Sequence, residues 1–284
     1  MKVRLTTNYS FALLFTVLIC TSCTTRRQIQ TDKFLPNEIP SATTEIVNAA
    51  NPQRPASKEI LDGMKISVVT FRETNAKLHY EANLDYPQID RANTRQQKQF
   101  NQLVKNRIFK ELSWLKSYSS KNILRPNGEK RKSDFEITTK YTSGFAREGI
   151  LSLELHIETS TGYVHPDRGT IVLNYDLTQG KELMLADLFV PKSQFLERIA
   201  EQSIIALKKK SPQSGGDWIP SQLESGTTPL KENYDLWSLD NEVLVITFDV
   251  YQIGPGSMGI NFATIPYDSI KDILKPEMLR RLKS

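Results

Sequence analysis

Cysteine is almost missing from this chain of 284 residues: Cys20 and Cys23 are the only two, both close to the N-terminus. Beyond residue 23 there can be no disulfide, no thiolate metal ligand and no thiol nucleophile, so the core alone must stabilise the body. Histidine is nearly as scarce. His79, His156 and His165 form no HExxH or His-x-His pair, which argues against a metal centre. The one long apolar run, residues 10–20, is shorter than the roughly 20 residues that a spanning helix needs. Charge is nearly balanced, 37 Lys and Arg against 32 Asp and Glu, and no basic run is interleaved with aromatics. Nucleic acid is therefore not an expected partner.

What is present begins at the N-terminus. Lys2 and Arg4 precede the apolar run, which ends in Thr21, Ser22 and Cys23. Charge, apolar stretch and small residue in that order predict an export signal over 1–22. Its end resembles a lipobox, in which cleavage precedes a cysteine that carries a diacylglyceryl group. Here Cys20 stands where that pattern prefers Leu. Cleavage before Cys20 would instead put bulky Ile19 at the position that must be small. The resemblance implies a bacterial envelope lipoprotein attached to membrane through Cys23. Thr24, rather than Asp, favours an outer-membrane position facing the periplasm in a Gram-negative host. Loss of Lys2 and Arg4 lowers the formal charge from +5 to +3, a mild excess that favours solubility.

Residues 23–57 hold Pro36, Pro40, Pro52 and Pro55 among Thr, Asn, Gln and Ser without periodicity, a composition that predicts a disordered tether. From about residue 60 the pattern alternates. Met64, Ile66 and Val68 oppose Val69 and Phe71, and Leu78 to Tyr86 repeats with period two. Phe100, Leu103, Val104, Ile108, Leu112 and Leu115 predict a helix over 93–118. Strands follow at 135–145, 151–158 and 169–177, then a helix over 193–210 with Ser193 as its cap. Residues 243–251 are apolar on both faces apart from Asp249, which predicts a central strand. A last strand and a C-terminal helix close the chain. Strands cluster instead of alternating with helices, so the expected class is α+β: an antiparallel-rich mixed sheet with helices packed on it, in two subdomains, 58–141 and 142–284.

Three stretches carry a resemblance: Gly162 to Pro166, Asn174 to Lys181 with Leu185 to Phe189, and the set Leu239, Leu244, Phe248, Tyr251, Ile253, Gly254, Pro255, Ile265, Pro266 and Tyr267. Together they resemble the C-terminal domain family of the anti-sigma factor RsiV, also found in envelope lipoproteins and in some peptidoglycan deacetylases. The resemblance spans residues 142–284. It implies a non-enzymatic binding or sensing module, with a lysozyme-like periplasmic protein or peptidoglycan as partner and no cofactor. The alternative it leaves open is a cell-wall glycan hydrolase or deacetylase with a site built on His165 and Asp167. This chain departs from the family pattern at Tyr163 and Val164, before His165, and at Gly256 and Ser257, after Pro255.

The candidate ligand-binding residues are Tyr163, His165, Asp167, Tyr251, Gly254 and Pro255, all in or beside turns, with no catalytic residue and no metal ligand among them. Trp218 and Trp237 also lie near turns, and Trp237 and Tyr251, flanking the central strand, are expected to be buried. Glu154, His156 and Glu158 share one strand face and read as a solvated polar face. Around Ser257 a nucleophile elbow fails, because Pro255 takes the place of the first glycine. The glycines at 254, 256 and 259 join two strands with no helix behind them, so they read as a tight turn and not as a phosphate cradle. The pairs Asp167/Asp176 and Asp235/Asp240 cannot be placed relative to each other by spacing. Replacing Cys23 by Ser is expected to release the exported protein from the membrane fraction, as measured by fractionation and metabolic lipid labelling.

Overall fold

The computed structural model describes residues 43–45, 59–122, 135–162, 165–212, 215 and 217–283. The expected signal and Cys23 lie outside them, as does most of the expected tether. Inside the tether range, residues 43–45 form a strand.

Eight strands make the larger sheet: β1 (Thr43–Glu45), β2 (Glu59–Leu61), β3 (Met64–Asn75), β4 (Tyr80–Ile89), β5 (Phe135–Arg147), β6 (Ile150–Ser160), β7 (Asp167–Asp176) and β8 (Lys181–Glu182). Their order is β1-β3-β4-β5-β6-β7-β8, with β2 also paired to β3. All these pairings are antiparallel except β4 with β5, which is parallel and bridged in sequence by helix α1 (Arg95–Lys121). A parallel pair needs such a crossover, so this helix is placed by topology as much as by propensity. A second sheet has the order β11-β10-β9, built from β9 (Trp237–Leu239), β10 (Val243–Phe248) and β11 (Asn261–Pro266). The predicted central strand is therefore central, in this smaller sheet. With α2 (Phe195–Lys208), α3 (Pro220–Gly226) and α4 (Pro276–Lys283), the class is α+β.

Local chemistry fixes the register. Asp62-Gly63 and Glu148-Gly149 are two-residue loops with positive φ at both positions (48° and 72°; 49° and 74°). That backbone twist matches antiparallel strands, and Gly at the second position meets it without strain. The two turns touch: Asp62 Oδ2 accepts a 3.1 Å hydrogen bond from the Gly149 N–H. Helix α1 starts at a capping box, in which Thr94 accepts from the Gln97 N–H and the Gln97 side chain accepts from the Thr94 N–H. Its buried stripe, Phe100, Val104, Ile108, Leu112 and Leu115, matches the predicted one except at Leu103, which is half-buried. Helix α2 differs at its start. Gln194, in the left-handed region, precedes the first turn without a side-chain cap, and the buried Ser193 hydroxyl has no partner among the described residues.

The two faces of the larger sheet bury different cores. Helix α1 covers one face, over Leu84, Ile137, Leu153, Leu155 and Leu173. The other face carries Phe145 and Ile150 into a second core with β9–β11, α2 and α4. A bulge makes this possible. The register of β5 on β6 shifts between Tyr141 and Ser143, so Tyr141 still pairs with Leu155 while Phe145 pairs with Ser152. One extra residue turns every later side chain of β5 to the opposite face. The boundary expected between residues 141 and 142 falls inside this strand, and Ala42–Ser284 forms one compact unit.

The second sheet stands with one edge on the larger one. Leu239 N–H donates to Ser152 Oγ (2.9 Å), Asn174 Nδ2 donates to the Trp237 carbonyl (2.7 Å), and Ser152 Oγ donates to Asn174 Oδ1 (2.6 Å). These side chains pair the Leu239 N–H and the Trp237 carbonyl on the edge of β9 that faces away from β10, two buried backbone groups that β10 does not reach.

The C-terminus is held by a buried ion pair. Asp176, fully buried at the end of β7, accepts from Arg281 at 2.7 Å and from the Thr178 and Gln179 N–H groups. Arg281 also donates to the Glu148 carbonyl, tying α4 to the β5–β6 turn. Burial alone would raise this carboxyl, but the Arg281 hydrogen bond and the others outweigh it and bring its pKa down to about 2. A depressed carboxyl stabilises the fold above its unfolded value of 3.8, and that stability is lost as pH falls toward about 2. The loss should amount to roughly 2 kcal/mol. Asp176→Asn should cost about 3 kcal/mol near neutral pH by removing the buried negative charge that faces the Arg281 guanidinium, and should flatten the acid limb of stability, as measured by urea unfolding across pH.

Candidate functional site

The turn after β10 is where the structure departs most from expectation. Trp237 is buried, as expected, but Tyr251 is 78% exposed. Strand β10 ends at Phe248, and Tyr251 takes up the left-handed region at φ 69°, which turns its side chain out of the core. Its ring lies over Gly256: a β-carbon there would come within 2.4 Å of the ring. Gly256 is thus needed for close approach, and any larger residue would push the ring away.

Gln252 holds this turn. Its Oε1 accepts from the Asp249 N–H (3.2 Å), and its Nε2 donates to the carbonyls of Gly226 (3.2 Å) and Asn233 (2.9 Å). Gly226, the last residue of α3, packs so tightly there that a β-carbon would lie 2.0 Å from the Gln252 carbonyl oxygen. Gly254 is buried against Met258, and Pro255 starts a short 3-10 turn closed by the Met258 N–H on the Pro255 carbonyl (2.8 Å). The exposed ring thus rides on a braced loop.

The other candidates sit on the turn between β6 and β7. His165 and Asp167 are exposed, and Tyr163 lies outside the described residues. Asp249 approaches the start of β7, where a β-carbon on Gly169 would sit 3.9 Å from its Oδ2. The Tyr251 loop and the His165 turn thus belong to one end of the larger sheet. No hydrogen bond, ion pair or ring contact joins His165 or Asp167 to Tyr251, Gly254 or Pro255 among the described residues. Asp167 and Asp176 lie at opposite ends of β7, about 30 Å apart at strand spacing, so they cannot act as a carboxylate pair.

The face of β6 beside these loops is more structured than a solvated strand face. Glu158 pairs with Arg168 at 2.9 Å. Glu154 is half-buried; burial raises its carboxyl, while the nearby His156 and a hydrogen bond from Ser238 partly oppose that. His156 is exposed, across the ladder from Thr170. Among the described residues no group of three or more His, Cys, Asp or Glu side chains is placed to hold a metal ion. No described helix is long and apolar enough to cross a membrane. Chemically, the end of the sheet offers an aromatic face, acceptor carboxylates and an imidazole: a surface for stacking and hydrogen bonding.

Residues 186–268 match DUF3298, a family of proteins of unknown function. That stretch holds α2, α3 and the whole second sheet, including the Tyr251 loop. Over 197 residues the chain is 25% identical to the peptidoglycan-N-acetylmuramic acid deacetylase PdaC of Bacillus subtilis (strain 168), covering 66% of this chain and 42% of that protein. The chain thus spans less than half of that relative's length. Two crystal structures of DUF3298 proteins share the fold. One from Bacteroides fragilis has a TM-score of 0.58 at 16% identity, covering 79% of this chain and 99% of that one. One from Pseudomonas aeruginosa PAO1 has a TM-score of 0.55 at 17% identity, covering 78% and 98%.

Gly226→Ala should force the Gln252 carbonyl away and displace the Tyr251 loop. Overpacking of this kind costs about 1–3 kcal/mol. Thermal unfolding should register that loss, and limited proteolysis should cut first within the loop after β10.

Proposed function

We propose that this chain is a binding module of the bacterial cell envelope, held by lipid on Cys23, that recognises peptidoglycan through the loop carrying Tyr251. The observation that carries the reading is an aromatic ring exposed on a rigid turn. Such a ring offers a large amphipathic contact area, and binding costs it little conformational freedom. Hexose rings present apolar faces for stacking and hydroxyl edges for hydrogen bonds, and carboxylates such as Asp167 and the imidazole of His165 would suit those edges. The named substrate of the Bacillus relative, a peptidoglycan sugar, supports the same ligand class.

The relative's name also favours a second reading, a glycan deacetylase or hydrolase using His165 and Asp167. A lysozyme-like protein is a further candidate partner, implied by the RsiV resemblance.

Co-sedimentation with purified sacculi, affinity for lysozyme and release of acetate from peptidoglycan fragments separate these readings. The expected outcome is saturable binding to sacculi without acetate release. Tyr251→Ala should weaken it by about 2 kcal/mol, roughly thirtyfold, with an unchanged melting temperature. Acetate release abolished by His165→Ala would establish the enzyme instead. Binding to lysozyme but not to sacculi would make the partner a protein.

A further inference from the structure

A cleft of about 390 Å³ opens between the β2–β3 turn, the end of β4 and the start of α1. Its volume falls in the lower part of the ~300–1,000 Å³ range of small-ligand sites. None of the candidate ligand-binding residues lines it.

Its chemistry is graded. Met64 and the buried Ile89 give it an apolar wall. The wall is fixed, because Asn101 accepts from the Ile89 N–H (2.8 Å) and donates to the Ile89 carbonyl (3.0 Å). Lys65 and Arg91 bring two cations to the cleft and Asp90 one carboxylate, so the balance is positive. Lys65 is joined to Asp90 at 2.7 Å. Arg91 is exposed and makes no salt bridge within 4 Å among the described residues; its backbone, at φ 52°, is in the left-handed region. The first turn of α1 adds no acidic side chain, while Asn93 and Gln97 contribute amides.

We infer that this cleft binds the C-terminal carboxylate end of a short peptide. A guanidinium with no salt bridge to another described residue suits a carboxylate through two parallel hydrogen bonds, with the Lys65 ammonium beside it. Met64 and Ile89 would accept a small apolar side chain, and the amides would meet the peptide group. A lone inorganic anion would leave the apolar wall and most of the volume unused. The site is built from elements other than the Tyr251 loop, so the two proposals stand or fall separately.

The test is calorimetric titration of the full chain with the dipeptide alanyl-alanine, with its C-terminal amide and with inorganic phosphate. Saturable binding of the free acid is expected, at least about tenfold tighter than the amide. Arg91→Gln should weaken the acid by a similar factor and Arg91→Lys by less, while Tyr251→Ala leaves it unchanged. Equal affinity for acid and amide, absence of saturation, or displacement of the dipeptide by equimolar phosphate would each overturn the assignment. Should Arg91→Gln fail to fold, the comparison of acid with amide on the unaltered chain still decides.

Discussion

Two buried side chains, Ser152 and Asn174, hold the backbone edge of one sheet against the face of another. Everything that distinguishes the site depends on that contact. A strand edge cannot be buried bare, because each unpaired N–H or carbonyl costs about 1–3 kcal/mol. By pairing the Leu239 N–H and the Trp237 carbonyl, these two side chains let a three-stranded sheet stand on an eight-stranded one. The loop after β10 is then carried to the start of β7, and it presents Tyr251 there. The bulge in β5 and the Asp176–Arg281 pair serve the same arrangement: one turns Phe145 into the second core, the other fastens α4 beneath it.

Features that follow from local alternation and helical period were legible in the sequence. The α1 stripe, the inward faces of β6 and β7 and the central place of β10 all rest on residues a few positions apart. The Asp62-Gly63 and Glu148-Gly149 hairpin turns and the Thr94–Gln97 helix start are equally local, but were not singled out from the sequence.

What could not be read depends on partners distant in the chain. Ser152 and Asn174 look like outward polar residues on half-buried strands; only β9, more than 60 residues beyond Asn174, makes them interior. The bulge shows only in the pairing of β5 with β6. Tyr251 follows an apolar strand and so looked buried, although one residue in the left-handed region and a glycine opposite suffice to turn it out. The candidate residues 165, 167, 251, 254 and 255 were found from turn composition and resemblance, and the fold gathers their loops at one end without bringing them into contact. Arg91 gave no sequence signal, because its cleft is formed by three segments that meet only in the folded chain.

Both sheets make one body, joined through Ser152 and Asn174. Native-state hydrogen exchange tests it most directly, by comparing opening free energies of amides in β6 with those in β10. Both should exchange only through global unfolding, with the same free energy and the same denaturant dependence. Exchange of β10 through a separate opening of lower energy, with β6 still protected, would contradict it.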